Sequence, residues 1–285
     1  MLIAFKPITF LILISFLFGC SSSGLRTDLS EDELPSCDSS QQRVAVTGIN
    51  PVAKKSTLMI HPGLMMGIDW DGERALTVGR MLVKEGYAAD LLEVRSRQKE
   101  PMYLQMLDDG GGEFVGLHYS MGGSPSVLQA ALDAAEDVTL QTGQLTAYTA
   151  IMVDPFALAQ LDTLVDPANP YLKHVYIVLS NRFMPFRPDP SGLSASTMQH
   201  TKFTFVFAEE FGVHWNHFSF LTDVKSDEQD DQDTLRGKAI FAQILQGAFG
   251  QVDHQAVKKS LERLKHQYAK EDQRTVIPGQ CRLVL

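Results

Sequence analysis

The chain has 285 residues, with 34 acidic against 25 basic side chains and a formal net charge of −9 at neutral pH. That balance lacks the basic surface that phosphate binding needs, so no nucleic acid is expected as a partner. The length leaves room for one large α/β domain with a substantial core, and no low-complexity linker divides it.

Met1 to Gly19 carries a single lysine, Lys6, followed by the apolar run from Ile8 to Phe18. The run is too short for a comfortable membrane span and fits the apolar region of a signal peptide, so residues 1–19 are expected to be removed. It ends Leu17-Phe18-Gly19-Cys20-Ser21, which resembles the lipobox of bacterial lipoproteins. The resemblance makes Cys20 the acylated residue and the mature N-terminus. Each acyl chain would then add about 0.8 kcal/mol of membrane affinity per buried methylene. It further implies a cell-envelope protein on a lipid anchor, at the periplasmic face of the outer membrane if the cell is Gram-negative. Residues 20–42 contain Ser21-Ser22-Ser23-Gly24, Pro35 and the acidic Glu31-Asp32-Glu33, a composition that predicts a flexible tether. Cys37 and Cys281 are the remaining cysteines, and in an oxidising envelope they are the candidates for one disulfide.

From Arg43 to the C-terminus the pattern predicts a single domain in which strands and helices alternate. Thr57 to Ile60 reads as a buried strand closed by His61-Pro62-Gly63. Ala75, Val78 and Leu82 give a helical stripe that stops at Gly86, and Ala88 to Val94 is the next apolar run. Gly110-Gly111-Gly112 lacks the spacing of a phosphate cradle and reads as a turn before the strand Phe114 to His118. Val127, Ala131 and Ala134 stripe the following helix. Three more strands are expected at Ala150–Val153, Val175–Leu179 and Phe203–Phe207. Leu235, Ala239, Ala242 and Phe249 then form one helical face, and Val257, Leu261, Leu264 and Tyr268 another. Such alternation predicts an α/β fold with a mainly parallel, doubly wound sheet and helices on both faces.

In open sheets of this kind chemistry collects beyond the carboxyl ends of the strands. Ser120 follows one predicted strand within His118-Tyr119-Ser120-Met121-Gly122-Gly123, Asp154 follows the next, and His214 and His217 follow the last. Serine, acid and histidine in that order are the parts of a nucleophilic triad. Taken with Leu58-Met59-Ile60-His61-Pro62-Gly63-Leu64 and Asn216-His217-Phe218-Ser219, they resemble the α/β-hydrolase fold family over roughly residues 56–249, especially its thioesterase branch. The resemblance implies Ser120 as nucleophile, His217 as base and Asp154 as the acid that orients it. It makes the backbone N–H groups of Leu64 and Met121 the oxyanion donors. His214 is the alternate base and Asp189, in Phe186-Arg187-Pro188-Asp189-Pro190, the alternate acid. His118 stands where the family's elbow usually has glycine, and it either packs under the sheet or crowds the serine.

Neither a cofactor nor a metal is expected. The acidic residues from Asp223 to Asp233 lack the spacing of a calcium loop and read as a solvated segment. The expected activity is hydrolysis of a small acyl ester or thioester through an acyl-enzyme intermediate. The competing expectation is an inert hydrolase-fold lipoprotein that serves as a binding module. Because the thiol is the attachment point, Cys20→Ser should abolish incorporation of labelled palmitate and leave the protein unprocessed or soluble. A Cys20→Ser protein that still carries label and sediments with membranes would refute the anchor.

Overall fold

Six short apolar runs become strands, and every pairing among them is parallel: β1 (Leu58–His61), β2 (Leu91–Glu93), β3 (Glu113–Tyr119), β4 (Ala147–Val153), β5 (Leu172–Leu179) and β6 (Phe203–Phe207). The computed structural model that reveals them describes residues 57–62, 70–94, 98–180, 190–214 and 232–275. Cys20, Cys37, Leu64, Asp189, His217 and Cys281 lie outside those residues. The strand order is β2-β1-β3-β4-β5-β6. The chain therefore runs outward from β1 to β2, then returns to the other side of β1 for β3. A crevice opens beyond the strand ends at such a reversal, here between β1 and β3.

Strands buried on both sides read as continuous apolar runs, and helices cover both faces. On one face Leu58, Ile60, Val115, Leu117, Ile151, Val153 and Val178 pack against α1 (Trp70–Lys84), α6 (Gln232–Ala248) and α7 (His254–Thr275). On the other Met59, Phe114, Tyr148, Ala150, Met152, Val175 and Ile177 meet α2 (Lys99–Asp108), α3 (Pro125–Thr142) and α4 (Leu161–Leu164). A short helix, α5 (Ala195–Gln199), precedes β6. The α/β class and the parallel sheet agree with expectation, as do all six strands. Gly110, Gly111 and Gly112 all have positive φ, at 81°, 77° and 113°. Only glycine adopts such a run without strain, so the triplet is the turn into β3.

Two helices depart from the sequence reading. α2 was not anticipated, because its fully buried face is only Met102 and Met106, while its other apolar residues do not keep to one stripe: Tyr103 and Leu107 are partly buried and Leu104 is 54 % exposed. In α6 the buried face is Ile240, Phe241, Ile244, Leu245 and Ala248, whereas Leu235 is 55 % exposed. The cause is Arg236, which takes the inward position. Its guanidinium grips Asp272 of α7 at 2.8 and 3.1 Å, donates to the Phe211 carbonyl at 3.2 Å and lies 4.6 Å from the centre of the Tyr268 ring. A planar donor fork that ties two helices and a turn together outweighs burial of one leucine.

Among the described residues no helix is long and apolar enough to cross a membrane. Gly247 marks the tightest approach of α6 to the sheet: a Cβ there would lie 2.0 Å from the Tyr176 hydroxyl and 2.5 Å from Val257 Cγ2. Alanine would gain up to about 1 kcal/mol of helix propensity. The forced separation of α6 from β5 and α7 costs roughly 1–3 kcal/mol and decides the sign. Gly247→Ala should therefore lower the urea midpoint, and a variant as stable as the parent would contradict this packing.

Candidate active site

β3 ends at Tyr119, and the chain turns at once through a 3₁₀ turn, Ser120–Gly123, into α3. Ser120 has φ +52°, in the left-handed region that side chains with a Cβ avoid. Asp154, directly after β4, has φ +44°, and Ala157 has φ +56°. Among the described residues these are the non-glycine positions with positive φ, and all three lie in neighbouring turns at the carboxyl end of the sheet. Each costs of order 1–3 kcal/mol unless the surroundings enforce it, and such strain gathers where a group must be presented.

The surroundings do enforce it. A Cβ on Gly122 would stand 2.2 Å from the His61 carbonyl oxygen and 2.6 Å from that of Pro62, and one on Gly123 would stand 3.1 Å from Pro155 Cα. The serine turn is thus wedged between the exits of β1 and β4, at the strand-order reversal. The Ser120 carbonyl accepts the Phe156 N–H at 2.9 Å, and the Met121 carbonyl accepts that of Ser124 at 3.3 Å. In a planar trans peptide the N–H points opposite to the carbonyl. Met121 N–H is consequently directed away from the Phe156 loop, and Ser120 itself is half-buried.

Asp154 is 4 % exposed and sits one turn away. Its two carboxylate oxygens accept the Ser180 N–H at 2.7 Å and the Ser180 hydroxyl at 2.6 Å, across from the end of β5. Each oxygen has two acceptor positions, so these bonds fix the carboxylate and leave it able to receive another donor. Ser180 was not foreseen as a site residue; its signal in the sequence was a lone polar residue closing an apolar strand.

His118 packs under the sheet rather than against the serine. Its ring is fully buried, with Nδ1 3.1 Å from the Gly122 carbonyl and Nε2 2.9 Å from the Tyr148 hydroxyl. That hydroxyl also lies 3.2 Å from His61 Nε2, and the two imidazoles stack with centres 4.1 Å apart. Gly116 makes the space, since a Cβ there would come within 1.8 Å of the Tyr148 hydroxyl and 2.6 Å of His118 Nε2. Gly116, one strand repeat before His118 on the same face, thus supplies the room that the bulk of His118 needs. Burial drives the His118 pKa down to about 4, and drives that of His61 well below its ordinary value with help from the His118 charge.

His214 is placed elsewhere. It is exposed at the outer edge beyond β6, and both its backbone N–H and its Nδ1 meet Asp233 at the start of α6, at 3.1 and 3.0 Å. Among the described residues no histidine ring is hydrogen-bonded to Ser120, and no group of three or more His, Cys, Asp or Glu is placed to hold a metal ion. The structure thus brings Ser120, Met121 and Asp154 to one crevice and sets His214 apart. No family model, no curated protein and no solved structure matches the chain.

Four histidines have depressed pKa values, all mainly through burial: His61, His118, His174 (to about 3) and, in part, His254. The folded state holds them neutral, whereas the unfolded chain takes up protons near pH 6.5, so stability is intact above that pH and falls below it. The loss continues until the folded values near 4 and 3 are reached. Each histidine contributes up to about 1.4 kcal/mol per pH unit in that window, and between pH 7 and pH 5 carboxylates, with ordinary values of about 4, contribute little. Urea unfolding should give a clearly lower midpoint at pH 5 than at pH 7, and equal midpoints would contradict neutral burial of these rings.

Proposed function

We propose that the chain is a serine hydrolase of the α/β-hydrolase fold that cleaves an ester or thioester through an acyl-enzyme intermediate. The observation that carries this reading is the left-handed backbone of Ser120, held at the strand-order reversal by turns too tight for a Cβ at Gly122. A strained strand-to-helix elbow is how a serine is raised above the carboxyl end of such a sheet.

In the proposed reaction Ser120 Oγ attacks the substrate carbonyl carbon while His217 accepts its proton, since a hydroxyl at its free pKa is a poor nucleophile. Asp154 holds the imidazole in its productive tautomer and offsets its positive charge. Backbone N–H groups of Met121 and Leu64 receive the oxyanion, ordinarily the largest electrostatic contribution. The returned proton releases the alcohol or thiol, and water attacks the acyl-serine by the reverse sequence. Phe156 is consistent with an apolar acyl group: its N–H binds the Ser120 carbonyl, and the residue is a large apolar one left 48 % exposed in the turn next to the serine turn. With Cys20 acylated, the enzyme would act from a lipid anchor on small acyl substrates in the cell envelope.

One observation favours the inert binding module. Both Asp154 oxygens already accept bonds from Ser180, which is also what a purely structural aspartate would do. Fluorophosphonate labelling separates the two readings. The parent should be labelled at Ser120 and Ser120→Ala should not. Ser120→Ala and His217→Ala should each cut turnover of a short activated ester by roughly 10⁴ to 10⁶, because triad members act as a unit. Asp154→Asn should cost about 10⁴ if it orients the base. Folded parent protein that is neither labelled nor active on a panel of acyl esters would leave the binding module.

A further inference from the structure

We propose that His118 is a positioning residue for the nucleophile: an uncharged His61–Tyr148–His118 chain of hydrogen bonds keeps a proton on His118 Nδ1, and that proton fixes the Gly122 carbonyl and with it the turn that carries Ser120. The inference rests on the serine-hydrolase reading, and it adds a role for three residues that the triad does not use.

The proton positions follow from the partners. The Gly122 carbonyl can only accept, so His118 Nδ1, 3.1 Å away, carries the hydrogen. Full burial keeps the ring neutral, with its pKa lowered to about 4, so Nε2 bears a lone pair. Tyr148 must therefore donate its O–H to Nε2 at 2.9 Å, and burial pushes its own pKa up, so the hydroxyl remains a donor. The same oxygen then accepts from His61, whose hydrogen lies on Nε2 at 3.2 Å. No other assignment satisfies all three contacts with neutral rings. The opposite tautomer of His118 would set a lone pair against the Gly122 carbonyl in a dry site. One atom is left over: His61 Nδ1 is buried with no hydrogen-bond partner among the described residues.

The position of the bond gives it more than a packing role. In the turn after Ser120, two carbonyls are fixed by backbone N–H groups, Ser120 by Phe156 and Met121 by Ser124. The third, that of Gly122, is fixed by the His118 side chain. Because each peptide is planar and trans, fixing these carbonyls fixes the opposed N–H groups of Met121, Gly122 and Gly123. Those N–H groups flank the nucleophile. Gly116 leaves the volume that Tyr148 and His118 fill, so the chain is built into β3 and β4 rather than hung on a loop.

The test uses the full chain with ¹⁵N-labelled histidine. Imidazole nitrogen shifts should report the Nδ1–H tautomer for His118 and the Nε2–H tautomer for His61, with neither ring protonated between about pH 5 and pH 8. His118→Leu and Tyr148→Phe should slow fluorophosphonate labelling of Ser120 about tenfold, the effect of one lost hydrogen bond in the transition state, and His118→Asn should recover most of it by restoring a donor to Gly122. Finding His118 as the Nε2–H tautomer, or equal rates for the Leu and Asn variants, would overturn the proposal while parent labelling left the hydrolase reading intact. Parent protein that shows the assigned tautomers but is never labelled would instead remove the hydrolase reading, and the positioning role with it. If the His118 variants fail to fold, Tyr148→Phe, which deletes a single oxygen, decides: an unchanged rate overturns the role.

Discussion

The contact between the Ser120 turn and the exit of β1 governs the rest of the carboxyl end of the sheet. Gly122 approaches the His61 and Pro62 carbonyls so closely that a single added carbon would clash. The turn can take that position only because β1 and β3 are neighbours whose following chains diverge, β1 toward α1 and β2 and β3 toward α3 and β4. Topology therefore supplies the crevice and the missing Cβ supplies the fit. The left-handed backbone at Ser120 is the consequence, since a chain that leaves β3 and must clear β1 while starting α3 has few other paths.

The two ends of the sheet use buried histidine differently. At the carboxyl end, His61 and His118 stack on each other, share the Tyr148 hydroxyl and pass a hydrogen bond to the Ser120 turn. Near the amino end, on the opposite face, His174 stacks on His254 at 4.0 Å. There His174 bonds Thr204 and His254 bonds Tyr176. This second stack joins β5, β6 and α7 and touches no strained backbone, so it reads as a satisfied core. The two stacks differ in what the last hydrogen bond ends on: a side chain of the core in one case, and the Gly122 carbonyl of the strained Ser120 turn in the other.

The sequence made the sheet legible because its central strands, β1, β3, β4 and β5, are buried on both faces, and an uninterrupted apolar run does not depend on register or period. The faces of α1, α3 and α7 followed from their spacing for a similar reason. α6 did not, since Arg236 occupies an inward position and only the distant Asp272, Phe211 and Tyr268 explain why. Of the site, Ser120 and Asp154 were readable as polar residues closing apolar runs, and both have the strained backbone that such ends permit. His118 was legible as an exception but not as a solution. Its partner Tyr148 is 30 residues away, and the compensating glycine is an ordinary member of a strand until the neighbouring strand is aligned with it.

A fold of this class hosts many activities, and strand order alone argues for none of them. The distribution of cost argues more narrowly. Three non-glycine residues with positive φ, a buried carboxylate and two buried imidazoles are each unfavourable in isolation, and all lie within the turns that follow β1, β3 and β4 or directly beneath them. A binding surface could be assembled on the same sheet without bending the backbone at Ser120. What the bent backbone provides is a hydroxyl at the start of α3, backed by peptide N–H groups whose carbonyls are all tied on the far side. In the proposed reaction those N–H groups would stabilise negative charge developing next to the serine oxygen more than a neutral ligand, and a selective preference for the charged state is what separates a catalyst from a receptor.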